Sequence, residues 1–538
     1  MMTQPHKTRV VVVGNGMVGY KCCEKLVARG NDQFSIVVFG EEPRPAYDRV
    51  HLSSFFEGKS AEDLSMASLD WYAQNNIQLY LSDPVVNIDR TAKTVVSHHG
   101  IVEQYDYLIL ATGSSAFVPS IPGVEKDGVF VYRTIEDLEL MQAHAKRASK
   151  AAVIGGGLLG LEAAKALLDL GMSQAHVIEF APRLMPRQID DAGSEILKAK
   201  LETLGLQIHL SKNTQSIDGD EIIKGMTFSD GTHIDVDMLV ISAGIKPRDE
   251  VAKLSGLAVG TRGGIIVNDH LQTSDPAIFA IGECALAHQM IYGLVAPGYE
   301  MAEVVVRNIC PLAPRGGMKD SSLAPQAIFL PFDMSTKLKL IGVDVASFGD
   351  AFATDCRTIV YEDTAKGVYK RINISNDGQT LLGGILVGDA EQYNMLLQAV
   401  KNKTILPPNP EDLMLGPRNG QGQDTGMSVM SLPDEALICS CEAVSKGAIC
   451  HEIIENGVAT LDGIKKYTKA GTGCAGCVPM VKDLIASVQK SQGLYVRNIL
   501  CEHFDYTRQE LYDLVKIKGF KTYEDVLNNL GQIGRAHV

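Results

Sequence analysis

No apolar run in this 538-residue chain approaches the roughly 18 residues that a membrane span requires. An excess of basic residues is also missing. The 50 Lys and Arg stand against 64 Asp and Glu, a net charge of −14, which argues against nucleic acid or an anionic membrane surface as a partner. The N-terminal stretch MMTQPHKTRVVVVGNG lacks the pattern of a signal peptide, because VVVVG is short and runs straight into a glycine loop. A disulfide framework is disfavoured in turn. The eleven cysteines are odd in number, and six crowd between 439 and 501 as C-x-C and C-x-x-C pairs, a pattern of metal ligation in a reducing compartment. A cytoplasmic location is expected. What is present, 45% hydrophobic and 21% charged residues, is ordinary for a globular protein, and the length predicts three or four domains.

From about 8 to 310, β-branched runs (RVVVV, FSIVVF, YDYLIL, KAAVIG, AHVIEF, MLVISAG) alternate with amphipathic helical stretches. This is the pattern of α/β domains with parallel sheets. From about 323 to 400, short strands (AIFLPF, KLKLIG, TIVYED, GVYKRI, LLGGILVG) predict an α+β domain. Residues 406–434, rich in Pro, Gly, Asn and Gln, read as a linker. A cysteine module follows at about 435–490, and the segment 497–531 reads as a partial second copy. Cys501-Glu502 lies on Cys441-Glu442, and Thr522–Val526 on Thr460–Ile464, with two extra residues between. A second C-x-x-C is due at about 536, but the chain reads Gly534-Arg535-Ala536-His537-Val538. The heptapeptide 532–538 can be encoded by a common adapter sequence, and is expected to be an artefactual tail on a truncated reading frame.

Two glycine loops repeat one unit: Gly14-x-Gly16-x-x-Gly19 and Gly155-x-Gly157-x-x-Gly160. Each follows a hydrophobic strand and opens a helix, which is the context that gives the pattern meaning. The first glycine allows a tight turn, the second lets a pyrophosphate approach the backbone, and the third packs helix on strand. Some 20–25 residues on, each copy reaches an acid, Glu41-Glu42 and Glu179, able to accept hydrogen bonds from a ribose diol. Solvated strand-end carboxylates are the alternative. Glu179 repels a 2′-phosphate and so favours NADH, while nearby Arg183 leaves NADPH open.

Together with Ala111-Thr112-Gly113 and Ile281-Gly282-Glu283, these loops resemble the two-dinucleotide-domain flavoprotein reductases of the pyridine nucleotide-disulfide oxidoreductase type. The resemblance implies an FAD-binding domain at 8–120 plus 246–310, an NAD(P)H-binding domain at 121–245 and an interface domain at 311–405. It implies that Glu41, Arg49 and Arg133 contact FAD, that Glu283 (in place of the usual Asp) holds the ribityl chain, and that Glu162 lies near the nicotinamide. The family often has P-P-L-S-K after the arginine. This chain has Val50-His51-Leu52-Ser53-Ser54, so the lysine near the flavin is absent. Such sites position cofactors and leave the hydride chemistry to them, so no catalytic acid, base or nucleophile is nominated. Thiol redox is disfavoured: Cys22 and Cys23 fall on a helix, Cys284 reads as buried packing, and no cysteine lies in 47–60. A homodimer through the interface domain is left open.

Cys439-x-Cys441 and Cys474-x-x-Cys477 can supply four thiolates, suited to [2Fe–2S] or zinc. With Glu442 after the first pair and Gly471-Thr472-Gly473 before the second, they resemble the bacterioferritin-associated-ferredoxin (BFD)-like [2Fe–2S] domain. The order of modules, and Leu500-Cys501-Glu502-His503-Phe504-Asp505-Tyr506-Thr507-Arg508-Gln509-Glu510-Leu511-Tyr512, resemble the large subunit of bacterial NAD(P)H-dependent nitrite reductases along practically the whole chain. That family implies electron input from NAD(P)H through FAD and [2Fe–2S] to a sirohaem–[4Fe–4S] half that reduces nitrite to ammonium, with a small subunit as partner. The C-x5-C and C-x3-C spacing of the sirohaem half does not occur here. Two alternatives stand beside this reading: the electron-transfer subunit of assimilatory nitrate reductase, and a non-enzymatic iron–sulfur or zinc scaffold that senses redox state.

Overall fold

The computed structural model describes residues 7–30, 33–310, 326–340, 342–415, 429–439, 442, 444–472, 477–492, 504, 506 and 508–531. Two compact units divide the chain, Met1–Gln423 and Asp424–Val538.

The first unit opens on a five-stranded parallel sheet in the order Ile278–Ala280, Tyr107–Leu110, Thr8–Val13, Phe34–Phe39, Ile77–Tyr80. Its strands are buried on both faces, so they read as continuous Val and Ile runs rather than as alternation. Helices Met17–Gly30 and Val295–Ile309 pack together beside it, and a three-stranded antiparallel ribbon, Val85–Asp89, Thr94–Ser97 and Val102–Gln104, contributes Val85, Ile88 and Val95 to a second core that also holds Val11 and Val13. The next domain repeats the plan. Parallel strands run Leu206–His209, Gln174–Ile178, Lys150–Ile154, Met238–Ile241, Val129–Val131, accompanied by helix Leu158–Asp169 and the antiparallel ribbon Thr214–Asp218, Gly225–Phe228, His233–Asp235.

The third sheet is wholly antiparallel, in the order Thr336–Leu340, Val343–Gly349, Leu381–Val387, Val368–Ile374, Arg357–Asp363, and helix Tyr393–Lys401 covers it. Val343, Val345, Tyr369, Ile385 and Val387 share one core with Leu184, Ile189, Leu197 and Leu201 of the second domain. Asp190 reinforces that seam, accepting from the Tyr369 hydroxyl at 2.7 Å and from Arg371 Nη1 at 3.0 Å.

AIFLPF, expected as a strand of this third domain, is not one. Phe329 is fully buried in the core of the first domain, where its N–H donates to the Asp269 carbonyl at 2.8 Å, and Ala327 N–H donates to Asn308 Oδ1 at 2.8 Å. Pro331 has no N–H to give a ladder, and the apolar run serves as a tether rather than a strand.

The second unit carries a short hairpin, Leu437–Cys439 with Val444–Ser445, followed by helices Lys446–Ile454, Leu461–Thr468 and Val478–Ser491 around Ile438, Ile449, Ile464, Val481 and Leu484. Helices Arg508–Lys518 and Tyr523–Leu530 come next. Thr460 and Thr522, aligned by the repeat register above, both cap helices: each side chain accepts a backbone N–H at 3.1 Å, from Gly463 and Asp525 respectively. Cys501 and the tail 532–538 lie outside the described residues. Among the described residues, no helix is long and apolar enough to cross a membrane.

Candidate functional site

Each glycine loop is built by the same local contacts. Gly14 N–H donates to the Phe39 carbonyl at 2.8 Å, and Gly155 N–H to that of Ile178 at 2.8 Å, so both loops hang from the neighbouring strand. Gly14 and Gly155 have φ of +110° and +122°, and a Cβ on either would stand 2.2 Å from a carbonyl oxygen, of Ala111 and of Ser242. A Cβ on Gly19 or Gly160 would fall 2.0 or 1.9 Å from the carbonyl oxygen of its own loop's first glycine. Around Gly16 and Gly157, by contrast, a Cβ would meet nothing within 4 Å. The middle glycines face open space at helix N-termini, where a pyrophosphate is stabilised by unpaired N–H groups and the helix dipole. Asn15, inside the first loop, accepts from the Tyr72 hydroxyl at 2.9 Å, while its buried Nδ2 has no partner among the described residues. The residues present fit two dinucleotides.

Around the first loop the structure gathers distant residues. Ala111-Thr112-Gly113 follows strand Tyr107–Leu110, and the Ala111 N–H donates to the Val13 carbonyl at 2.8 Å. Glu41 stands just past the strand Phe34–Phe39 and pairs with Arg248. Arg49 Nη1 donates to the Arg133 carbonyl at 3.0 Å, its guanidinium pairs with Glu42, and it lies 4.6 Å from the Tyr47 ring. Arg133 Nη2 donates to Ser114 Oγ at 2.7 Å and pairs with Glu283, whose carboxylate also accepts from Ser114 Oγ at 2.6 Å. Gly282, at φ +75°, sits against Val18 at the start of the first helix. Arg248 and Ser114 were not among the residues read from the sequence, and Glu42, read there beside Glu41 as a ribose acceptor, pairs instead with Arg49. Arg248 and Glu41 are 207 positions apart, and no local pattern links them.

At the second loop the Glu179 carboxylate accepts from Gly156 N–H at 2.6 Å and from Ala181 N–H at 2.7 Å. Arg183 is occupied elsewhere. Its Nη1 lies 3.0 Å from Asp191, its Nη2 donates to the Pro186 carbonyl at 3.3 Å, and the guanidinium stands 6.0 Å from the Phe352 ring. Glu162, in the helix opened by this loop, is half-buried, and burial pushes its carboxyl up to about 7 against a counteracting pull from His51. Cys22, Cys23 and Cys284 are fully buried, and burial raises all three thiols.

In the second unit, Cys439 ends the first strand of the hairpin and Cys477 caps helix Val478–Ser491. Both are buried in the same core. A thiolate at the N-terminus of a 14-residue helix is stabilised by the helix dipole, which suits a metal ligand. Cys441 and Cys474 lie outside the described residues.

Comparison with known proteins gives three matches along the chain. Residues 8–307 match the pyridine nucleotide-disulphide oxidoreductase family, 335–404 the rubredoxin NAD+ reductase C-terminal domain, and 437–487 the BFD-like [2Fe-2S] binding domain. The nitrite reductase (NADH) large subunit of Escherichia coli (strain K12) is 46% identical over 98% of this chain, which spans 61% of that relative. The assimilatory nitrate reductase electron transfer subunit of Bacillus subtilis (strain 168) is 36% identical over 97% of the chain and 66% of the relative. A ferredoxin reductase from Rhodopseudomonas palustris shares the fold, with a TM-score of 0.66 at 23% identity over 76% of this chain and 97% of its own.

Proposed function

This chain belongs to the pyridine nucleotide-disulphide oxidoreductase family and corresponds to the FAD/NAD and [2Fe–2S] portion of nitrite reductase large subunits, and from that premise we propose that it is the electron-input part of an NADH-dependent nitrite reductase. FAD would bind at the first glycine loop and NADH at the second, with Cys439, Cys441, Cys474 and Cys477 holding the cluster. The observation that carries the reading is the pair of open cradles at Gly16 and Gly157, each braced by two glycines that tolerate no side chain.

Bound flavin supplies the conversion of a two-electron hydride into single electrons, which the cluster can relay. The protein's own part is placement. Backbone N–H groups beside Gly16 and Gly157 receive the pyrophosphates, with Ala111-Thr112-Gly113 and Gly282 closing the first site. Glu41 and Glu179 accept from ribose hydroxyls, while Arg49, Arg133 and Glu283 orient the flavin end. NADH is preferred over NADPH, because two N–H donors fix the Glu179 side chain at the loop while Arg183 is committed to Asp191 and Pro186.

The chain spans 48–63% of the relatives named nitrite reductase, so nitrite reduction, the sirohaem and [4Fe–4S] centres and the small subunit are proposals for a longer protein. The segment 497–531 would be a second, partial copy of the cysteine module. The similarity to the nitrate reductase electron transfer subunit supports a second reading, in which the electrons pass to a separate acceptor. Purified protein should carry FAD and oxidise NADH with ferricyanide or a tetrazolium dye. FAD-loaded protein that does not turn over would favour the redox-sensing scaffold instead. Coding sequence for C-x5-C and C-x3-C after codon 538 separates the nitrite reading from the nitrate one.

A further inference from the structure

The helix that opens at the NADH loop, Leu158–Asp169, packs directly on the turn Arg49–Phe55, which carries the flavin-side residue Arg49. Glu162 on the helix and His51 on the turn therefore border the seam between the two nucleotide sites. Glu162 has no hydrogen-bond or ion-pair partner among the described residues, and the charged group acting on it is His51. His51 is half exposed, and its Nδ1 is 2.7 Å from Asp48 Oδ2. Asp48 is fixed as the cap of the turn by the Val50 N–H at 2.9 Å. Tyr132 adds a buried hydroxyl without a partner among the described residues, exposed to the charges of Glu162 and Glu57. Ser54, on the same turn, is buried and brings no charge to set against Glu162.

Oxidation of NADH by two one-electron acceptors yields NAD+, two electrons and one proton. The electrons leave one at a time, and the proton must reach water. We propose that Glu162 holds that proton at its carboxyl and that His51, oriented by Asp48, passes it to solvent. Proton transfer is most effective between groups poised near the working pH. Glu162 is pushed to about 7 by burial, and the hydrogen bond to Asp48 raises His51. The other charges facing these groups are Lys59, which opposes protonation of His51, and Glu57, which acts on Tyr132 and pairs with Lys165 on the Glu162 helix.

The proposal rests on the flavoprotein reading, and the test separates the two. In FAD-loaded protein, NADH reduction and ferricyanide reoxidation are followed anaerobically across neutral pH, alongside the pH slope of the flavin midpoint potential. The wild type should show a break near pH 7 in reoxidation rate and in slope. Glu162→Gln should remove both. His51→Gln should slow reoxidation by about tenfold, and added imidazole should restore it without accelerating the wild type. Unchanged profiles in both variants, or a slow His51→Gln that imidazole does not restore, would overturn the proposal. If His51→Gln loses its flavin, the slope in Glu162→Gln decides alone. Wild-type protein that binds FAD but is not reduced by NADH would instead overturn the flavoprotein reading.

Discussion

Glu179 accepts the backbone N–H of Gly156 at 2.6 Å, so the acid that follows the second strand of the second dinucleotide-type domain is built into the glycine loop itself. This ties cofactor choice to loop shape. Glu179→Ala should weaken NADH binding by about tenfold, the cost of one charge-assisted contact, and narrow the preference over NADPH. Adding Asp191→Ala, which frees Arg183, should narrow it further. Steady-state kinetics with both nucleotides checks this.

The three glycines of the first loop, the proposed FAD site, should fail in different ways. Gly16→Ala meets nothing within 4 Å, so the apo protein should melt at the wild-type temperature while FAD affinity falls by at least ~tenfold. Gly19→Ala places a Cβ 2.0 Å from the Gly14 carbonyl oxygen, so the apo protein itself should be destabilised. Paired melting curves and flavin titrations distinguish the two.

His176 and His209 stack across neighbouring strands with Nδ1 and Nε2 3.0 Å apart, a geometry that holds while the rings are neutral. Burial lowers both, and takes His176 to about 4. In the unfolded chain His176 gains its proton near 6.5, so the folded state binds fewer protons between those values. Stability is therefore full above about pH 6.5 and is lost as pH falls towards 4, by up to ~3 kcal/mol. His176→Phe should flatten that acid limb of the melting temperature, and an unchanged limb would refute the assignment.

Asp190→Ala should lower the melting temperature by removing a helix cap and leaving the Tyr369 hydroxyl and Arg371 without their partner, a loss of roughly 2–4 kcal/mol. Asp190→Asn, which keeps an acceptor, should lose less. Differential scanning calorimetry is the check.

The parallel sheets were legible because buried parallel strands announce themselves as β-branched runs, and the glycine loops because each glycine answers a local backbone demand. Glu283 and Arg133 could be named from short motifs, yet their meeting at Ser114 depends on the packing of segments about 150 residues apart. The antiparallel ribbons Val85–Gln104 and Thr214–Asp235 escaped notice, since their strands are 3–5 residues long and half exposed. AIFLPF misled because an apolar run records burial, not pairing. In the cysteine module, Cys439 and Cys477 could be chosen by spacing alone, before helix Val478–Ser491 supplied a reason for one of them.

On the proposed function, electrons from NADH pass through flavin to a cluster held by Cys439, Cys441, Cys474 and Cys477. Stepwise anaerobic addition of NADH to FAD- and iron-containing protein, followed by absorbance and electron paramagnetic resonance, tests it most directly. Flavin bleaching should be accompanied by the paramagnetic signal of a reduced [2Fe–2S] centre, and Cys477→Ser should abolish the signal while the flavin is still reduced. Bound zinc in place of iron, or a flavin that NADH leaves oxidised, would contradict it.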